Sequence, residues 1–213
     1  IRDAEVAVQK QHPEFSIRDL NYDDPDTYKM LGQGDTEGVF QLESSGMKQV
    51  LVGLQPQNLE DVIALISLYR PGPMDSIPTY LRNRHEPDKI SYKTPQLAHI
   101  LDVTNGCIVY QEQVMQIFRE LAGFSFGQAD NVRRAMSKKK HAVMEAEREH
   151  FVHGCTEPGH ECPGCVANGI PEQVANQIYD EMSSFASYAF NKSHAACYAY
   201  VAFQTAYLKC HYP

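Results

Sequence analysis

The chain has 213 residues, of which 43% are hydrophobic, and a formal net charge of -8 at pH 7. The apolar fraction is sufficient to fill a folded core, which excludes a disordered chain, and no apolar run reaches the length of a membrane-spanning helix. The overall acidity argues against a protein that coats nucleic acid without specificity, although it leaves room for a local basic site.

Helix caps, prolines and apolar spacing predict a helical first third. Asp24 is placed to cap a helix that has Pro25 at its first position. The turn Arg70-Pro71-Gly72-Pro73 must end a nearly all-apolar helix, because proline lacks a backbone donor and restricts the residue before it. Helices are predicted at residues 1–12, from 24, at 44–54 and at 58–69, with an extended segment at GVFQLES (residues 38–44).

The rest of the chain also has a helical pattern, interrupted by one irregular segment. Thr94-Pro95 has the signature of a helix start. Cys107 to Tyr110 (CIVY) is typical of a short buried strand or turn. Further helices are predicted at residues 111–123, 125–137, 141–153, 170–189 and 193–211, with a Cys/Gly/Pro-rich loop at residues 154–169.

The stretch NVRRAMSKKK, Asn131 to Lys140, holds five positive charges and no acid. Arg134 and Lys138 are four residues apart and share a helix face, where like charges destabilise unless an anion is near. Arginine offers a planar fork that matches phosphate oxygens, and lysine adds a point charge. The alternative is a solvated face neutralised by the acidic helix Met144 to His150.

Two further polar islands lie in apolar surroundings. Asn191, Lys192, Ser193 and His194 precede or begin the last helix, and Asn191 or Ser193 could simply cap it. Cations are disfavoured at a helix start, so a bound anion would resolve the conflict. Arg70 follows a buried helix directly and is fixed by a stiff turn, which suits either a ligand contact or a structural ion pair.

Five segments occur in an order that resembles one known family: GVFQLESSGMK, IALISLYRPGP, IVYQEQVMQI, ADNVRRAMSKKK and FNKSHAACYAYVAFQTAYLKCHYP. They resemble the family C replicative DNA polymerases, the alpha subunits of bacterial DNA polymerase III, from about Asp24 to Pro213. The resemblance implies a mainly α-helical fingers domain with a short irregular cysteine-containing loop. Within residues 1–213, it implies a connection from the palm (1–35), a first helical part with the basic helix (36–153), the cysteine loop (154–169) and a C-terminal helical part (170–213).

The resemblance also implies template-directed nucleotidyl transfer in the parent enzyme. A primer 3′-hydroxyl attacks the α-phosphate of a deoxynucleoside triphosphate, with two Mg²⁺ ions held by palm aspartates. We expect those aspartates to lie outside this chain, because Asp24-x-Asp26 is explained by capping, and we expect the fragment alone to be inactive. The implied partners are primer-template DNA, deoxynucleoside triphosphates and other replisome subunits. The implied setting is the bacterial cytoplasm at the nucleoid, with no membrane.

The family's nucleotide-facing residues can be carried over to matching positions of this sequence. The resemblance places the basic helix near the triphosphate or the DNA backbone, and the NKSH segment near the incoming nucleotide. The residues implied to bind nucleotide or phosphate are Arg133, Arg134, Lys138, Lys139, Lys140, Asn191, Lys192, Ser193, His194 and Arg70.

The loop HGCTEPGHECPGC is not explained by the resemblance. Cys162 and Cys165 form a C-x-x-C pattern, and Cys155 with His160, or His153 in its place, could complete a structural Zn²⁺ site. The alternative is a surface loop with incidental thiols. A zinc site would also fit a second function, that of a stand-alone zinc-containing helical module that binds nucleic acid.

Overall fold

The computed structural model describes residues 1–138, 141–186 and 188–213, with the backbone alone at His141 and Ala186. The chain forms two compact units. The first combines Ile1–Tyr69 with Ser193–Pro213, and the second comprises Arg70–Lys192. From Ser193 onward, the last helix belongs to the unit formed by the start of the chain, and the four-part division implied by the resemblance stays a prediction.

The first unit is built from four helices and most of a fifth. They are α1 (Arg2–Gln9), α2 (Pro25–Gly32), α3 (Ser45–Leu54), α4 (Leu59–Leu68) and α12 (Lys192–His211), whose first residue is assigned to the second unit. Side-chain oxygens of Asp24, Ser44 and Asn58 accept hydrogen bonds from the third residue after each, as expected of N-caps. Residues 61–68 of α4 are all buried. The predicted early helices are therefore confirmed, although α1 is shorter than expected.

The segment GVFQLES is not extended, contrary to the prediction. Residues 37–41 form turns, and the backbone bends so that the Thr36 hydroxyl donates to the Leu42 carbonyl at 2.5 Å. Val39 and Leu42 are completely buried. Burying two apolar side chains three residues apart requires a turn, since a strand would point them to opposite faces.

The second unit contains the remaining helices. They are α5 (Ile77–His85), α6 (Ala98–Leu101), α7 (Gln111–Ala122), α8 (Phe126–Ser137), α9 (His141–His153), α10 (Gly164–Ala167) and α11 (Glu172–Ala186). Within its described residues, the extended backbone pairs only at isolated bridges, so CIVY is a buried irregular segment with one bridge and not a strand. Thr94-Pro95 begins a short 3-10 turn that leads into α6, because the Thr94 hydroxyl bonds the Gln96 side chain and does not cap a helix.

An aromatic cluster lies at the centre of the second unit. Phe118, Phe151 and Tyr179 are all completely buried, and their ring centroids lie 5.0 to 5.9 Å apart. The Tyr179 hydroxyl donates to the Met144 carbonyl at 2.6 Å, so its one polar group is satisfied. This core joins α7, α9 and α11, and α8 packs against all three. The basic helix, α8, thus packs directly against this aromatic core.

The loop after α9 is closed at its base by a pair of cysteines and a pair of glycines. Cys155 and Cys162 exchange two backbone N–H to carbonyl hydrogen bonds, each 2.9 Å long. A Cβ on Gly164 would lie 2.3 Å from the Gly154 nitrogen, so the two backbones approach too closely for any side chain. Residues 156–161, between the cysteines, are all exposed. No helix within the described ranges has the length and apolarity needed to cross a membrane.

Candidate functional site

The first cations of the basic segment are arranged around one carboxylate of the same helix. Ser125 caps α8 through the Gln128 N–H at 3.3 Å, and Asp130 lies one turn further along. Its Oδ1 accepts from Arg133 Nε and Nη2 at 3.0 and 2.7 Å, and its Oδ2 lies 2.7 Å from Arg134 Nε. Hydrogen bonds from Arg133 hold the pKa of Asp130 below its usual value. The segment is therefore neutralised in part from within α8, by an acid just before the stretch that the sequence analysis singled out.

The two arginines differ in how far they reach into solvent. The Arg133 side chain is 20% exposed, and its Nη1 also donates to Gln111 Oε1 at 3.1 Å. The Arg134 side chain is 65% exposed. Lys138 is exposed at the C-terminal end of α8, where the helix dipole favours a cation. Arg134 and Lys138 therefore form an accessible basic edge, while Lys139 and Lys140 lie outside the described residues.

The residues before α12 are held by the start of α7. The Phe190 N–H donates to the Val109 carbonyl at 3.4 Å, and the Gln111 N–H donates to the Phe190 carbonyl at 3.0 Å. Asn191 Nδ2 donates to Glu112 Oε1 at 2.8 Å, and the Lys192 N–H lies 3.3 and 3.2 Å from the two oxygens of Glu112. Lys192 Nζ lies 5.3 Å from the Tyr110 ring centroid. The anion expected at this helix start is thus supplied by the protein itself.

Arg70 contacts the same segment from another side. Its Nη2 donates to the Tyr188 carbonyl at 2.7 Å, and its Cζ lies 4.2 Å from the centroid of the Phe190 ring. Burial lowers the pKa of the Arg70 guanidinium, which stays charged at neutral pH. These contacts give Arg70 a structural role, in which it fixes the backbone that leads to Asn191 and Lys192, and its predicted contact with a ligand stays a prediction.

An open cavity of about 470 Å³ connects the basic helix with this segment. Arg133 and Asn191 both line it, and the Phe126 side chain, 64% exposed, offers an apolar face at its edge. The Arg119 guanidinium carbon lies 5.9 Å from the Phe126 ring centroid. The full lining is Gln111, Glu112, Met115, Gln116, Arg119, Glu120, Phe126, Asp130, Arg133 and Asn191. The cavity thus combines arginine and amide donors with an exposed aromatic ring, and it also contains carboxylates.

Ser193 and His194 belong to the first unit, and both are exposed. The His194 ring centroid lies 4.6 Å from that of Tyr198, one helical turn later. In the same unit, Asp24 caps α2 and lies 2.9 Å from His211 Nε2. Although burial acts to raise it, hydrogen bonds from Thr27 and His211 hold the pKa of Asp24 below its usual value. Asp24 therefore serves the structural role predicted for it.

Among the described residues, the predicted zinc ligands do not form a group that could hold a metal ion. Cys165 is completely buried in the apolar core, and burial raises its pKa to about 12. Cys162 Sγ donates to the His150 carbonyl at 3.5 Å, and Cys155 pairs with Cys162 through backbone atoms.

The two histidines considered for the fourth zinc ligand lie in different surroundings. His160 is in the exposed tip of the loop, and His153 lies near Glu149 and Glu172. Among the residues whose positions are described, no group of three or more His, Cys, Asp or Glu could hold a metal ion. The described residues therefore give no support to the predicted Zn²⁺ site.

Comparisons with known proteins agree with one another. Residues 1–159 match the family model described as the bacterial DNA polymerase III alpha subunit finger domain. The chain is 50% identical to DNA polymerase III subunit alpha of Thermus aquaticus over 98% of its own length and 17% of the relative's. It is 48% identical to the protein of the same name from Staphylococcus epidermidis, over 93% of this chain and 18% of the relative. The chain therefore spans less than a fifth of the length of these curated relatives.

Proposed function

Because this chain belongs to the family of bacterial DNA polymerase III alpha subunit finger domains, we propose that it forms the nucleotide- and DNA-binding fingers of a replicative DNA polymerase. The observation that carries this proposal is the cavity shared by Arg133 and Asn191, flanked by the exposed edge of Arg134 and Lys138. Deoxynucleoside triphosphates and primer-template DNA are the proposed ligands, and other replisome subunits are the proposed partners. The bacterial cytoplasm is the proposed location.

The proposed role of the basic edge is electrostatic. In polymerisation, a primer 3′-hydroxyl attacks the α-phosphate of the incoming nucleotide and pyrophosphate leaves, so negative charge grows on the leaving group. Arg134 is the strongest candidate to neutralise that charge, since its guanidinium is the more exposed of the two and can bind phosphate oxygens while Asp130 holds its Nε. Arg133, held by Asp130 and Gln111, is proposed to set the shape and the charge of the cavity wall.

The other residues that the sequence predicts to bind nucleotide or phosphate are proposed to act on the same ligands. Lys192 and Asn191 would face the nucleotide from the start of α12, and Lys138 would meet phosphates of the nucleotide or the DNA. Ser193, His194, Lys139 and Lys140 are proposed from the family resemblance. Arg70 is proposed to act on the same ligand through the backbone that it holds at Tyr188.

Metal ions are expected in the parent enzyme, where Mg²⁺ would bind the attacking and leaving oxygens. In the part of the chain that is described, no cluster of carboxylates could hold such an ion. A stand-alone zinc-containing module is not favoured, because the cysteines and histidines that it requires do not converge.

The test is primer extension by the full-length polymerase that carries this chain, with Arg134→Ala and Lys192→Ala. Loss of one charge-assisted contact, worth about 1.5–3 kcal/mol, would lower kcat/KM for the nucleotide about 10- to 150-fold. Arg18→Ala, at an exposed arginine of the first unit, is the matched control and should leave kcat/KM unchanged. Values within twofold of wild type for both test variants, with unchanged unfolding midpoints, would refute the proposed function.

A further inference from the structure

Glu112 occupies a position that the sequence gives no reason to expect. It lies in the first turn of α7, and its carboxylate reaches residues about 80 positions later in the chain. One oxygen accepts from Asn191 Nδ2 at 2.8 Å, and both lie within 3.3 Å of the Lys192 backbone nitrogen. The Glu112 side chain thus contacts both Asn191 and Lys192, which are proposed to face the nucleotide.

The electrostatics of this contact are favourable in two ways. Lys192 is the first residue of α12, a helix of 20 residues, whose dipole attracts an anion to this end. The lysine's own positive charge is disfavoured at that end, and the negative charge of Glu112 offsets it. Glu112 therefore stabilises a cation where the helix alone would disfavour one.

The support beneath Glu112 is rigid. Gln113, the next residue, is buried and accepts from the Val109 and Tyr110 N–H groups at 2.9 and 3.0 Å. Its amide donates to the Ile100 carbonyl and to the Thr104 hydroxyl at 3.1 and 2.8 Å. The backbone that pairs with Phe190 is thereby fixed from inside the core, and Glu112 projects from a fixed base.

We propose that Glu112 is a positioning residue that holds Asn191 and Lys192 in the geometry required to bind the incoming nucleotide. This inference rests on the proposed function, and Glu112 itself contacts neither the reacting atoms nor the phosphates. Its carboxylate lines the same cavity as Asn191 and fixes the amide that faces that cavity. Without it, the start of α12 loses its anionic partner, and the Asn191 and Lys192 side chains sample positions that do not match the nucleotide.

The test compares Glu112→Ala and Glu112→Gln in the full-length polymerase, with Glu145→Gln as the control. Glu145 is an exposed carboxylate on α9 of the same unit, 74% accessible, and it lies 3.9 Å from Arg148. Glu112→Ala should raise KM for the nucleotide about tenfold, the loss expected for one charge-assisted hydrogen bond, with a smaller change in kcat. Glu112→Gln keeps an acceptor oxygen and should recover part of the loss, while Glu145→Gln should change neither constant.

Two further measurements separate positioning from a general loss of stability. Amide hydrogen exchange over residues 190–196 should accelerate in Glu112→Ala and stay unchanged in Glu145→Gln. In an Asn191→Ala, Lys192→Ala background, Glu112→Ala should add little further increase in KM, because both of the side chains that it positions are then absent. Unchanged exchange, or a full additive loss in that background, would overturn the proposal.

The outcomes also distinguish this inference from the function on which it rests. If Lys192→Ala raises KM while Glu112→Ala does not, the positioning role is wrong and the proposed function stands. If Lys192→Ala, Asn191→Ala and Arg134→Ala all leave KM and kcat unchanged, the proposed function fails, and the positioning role fails with it.

Discussion

Replacing Gln113 should destabilise the second unit by more than the replacement of one polar side chain usually does. The residue is 5% exposed and makes four hydrogen bonds, two of which it accepts from the backbone N–H groups of Val109 and Tyr110 just before α7. Gln113→Leu removes this acceptor from both N–H groups, at about 1–3 kcal/mol each. The added apolar burial returns about 1–2 kcal/mol. We therefore expect a net loss of about 0–5 kcal/mol in the free energy of unfolding, with a central value of about 2.5 kcal/mol.

Urea denaturation of the chain measures this loss, with Gln116→Leu as a control one turn along the same helix. Gln116 donates to Glu120 at 2.7 Å on an exposed face, so its replacement should change stability by less than about 0.5 kcal/mol. Equal effects of the two substitutions would refute the view that Gln113 is the internal support of residues 109–110.

A second substitution at this position adds a pH dependence of known sign. Gln113→Glu keeps acceptors for the two N–H groups but, when ionised, directs a negative oxygen at the Ile100 carbonyl, so the pKa of the new carboxyl should be raised in the folded state. A raised folded pKa means that the native state binds more protons above the unfolded pKa of about 4.3. Stability relative to the wild type should therefore fall as pH rises from about 4. A difference that is flat between pH 4 and 8 would contradict this reasoning.

Three other outcomes are expected. Cys165→Ser places a hydroxyl in the apolar core and should cost about 1–3 kcal/mol in unfolding free energy. Cys155→Ser, at the loop, should cost less than about 0.5 kcal/mol. Equal losses for the two variants would contradict the packing assigned to Cys165. Asp130 has a lowered folded pKa, so its stabilisation is present at neutral pH and is lost as pH falls below about 4; Asp130→Asn should flatten that part of the stability–pH curve. In the full-length polymerase, the affinity for primer-template DNA can be measured as a function of salt concentration. If Arg134 contacts a DNA phosphate, Arg134→Ala should reduce the slope of log affinity against log salt by about one. An unchanged slope would assign the contact of Arg134 to the nucleotide instead.

The helices were predictable because their boundaries are encoded locally. Asp24, Ser44, Asn58 and Ser125 each cap the helix that begins at the next residue, so a short window of sequence contains the information. The exceptions have equally local causes. Thr94 bonds a neighbouring side chain in place of the helix backbone, and residues 37–41 turn to bury Val39 and Leu42 on one side.

The candidate site was predictable in part. The basic residues are visible as a charge cluster, and Asp130 could have been found from its spacing of three and four residues before Arg133 and Arg134. Glu112 could not, because it meets Asn191 and Lys192 across about 80 residues and nothing in its own surroundings marks it. The zinc prediction relied on the spacing of three cysteines and on nearby histidines, and spacing does not reveal that the Cys165 side chain is buried in the core.

Because the base of the loop after α9 is closed, the length of that loop has little effect on the stability of the fold. The backbone pair at Cys155 and Cys162 and the contact of Gly154 with Gly164 fix both ends, while the six residues between the cysteines contact solvent. Doubling such a loop costs only about 0.6 kcal/mol in closure entropy. The tip is therefore a permissive insertion point, at which a fluorescent label or an affinity tag can be introduced while the basic helix stays in place.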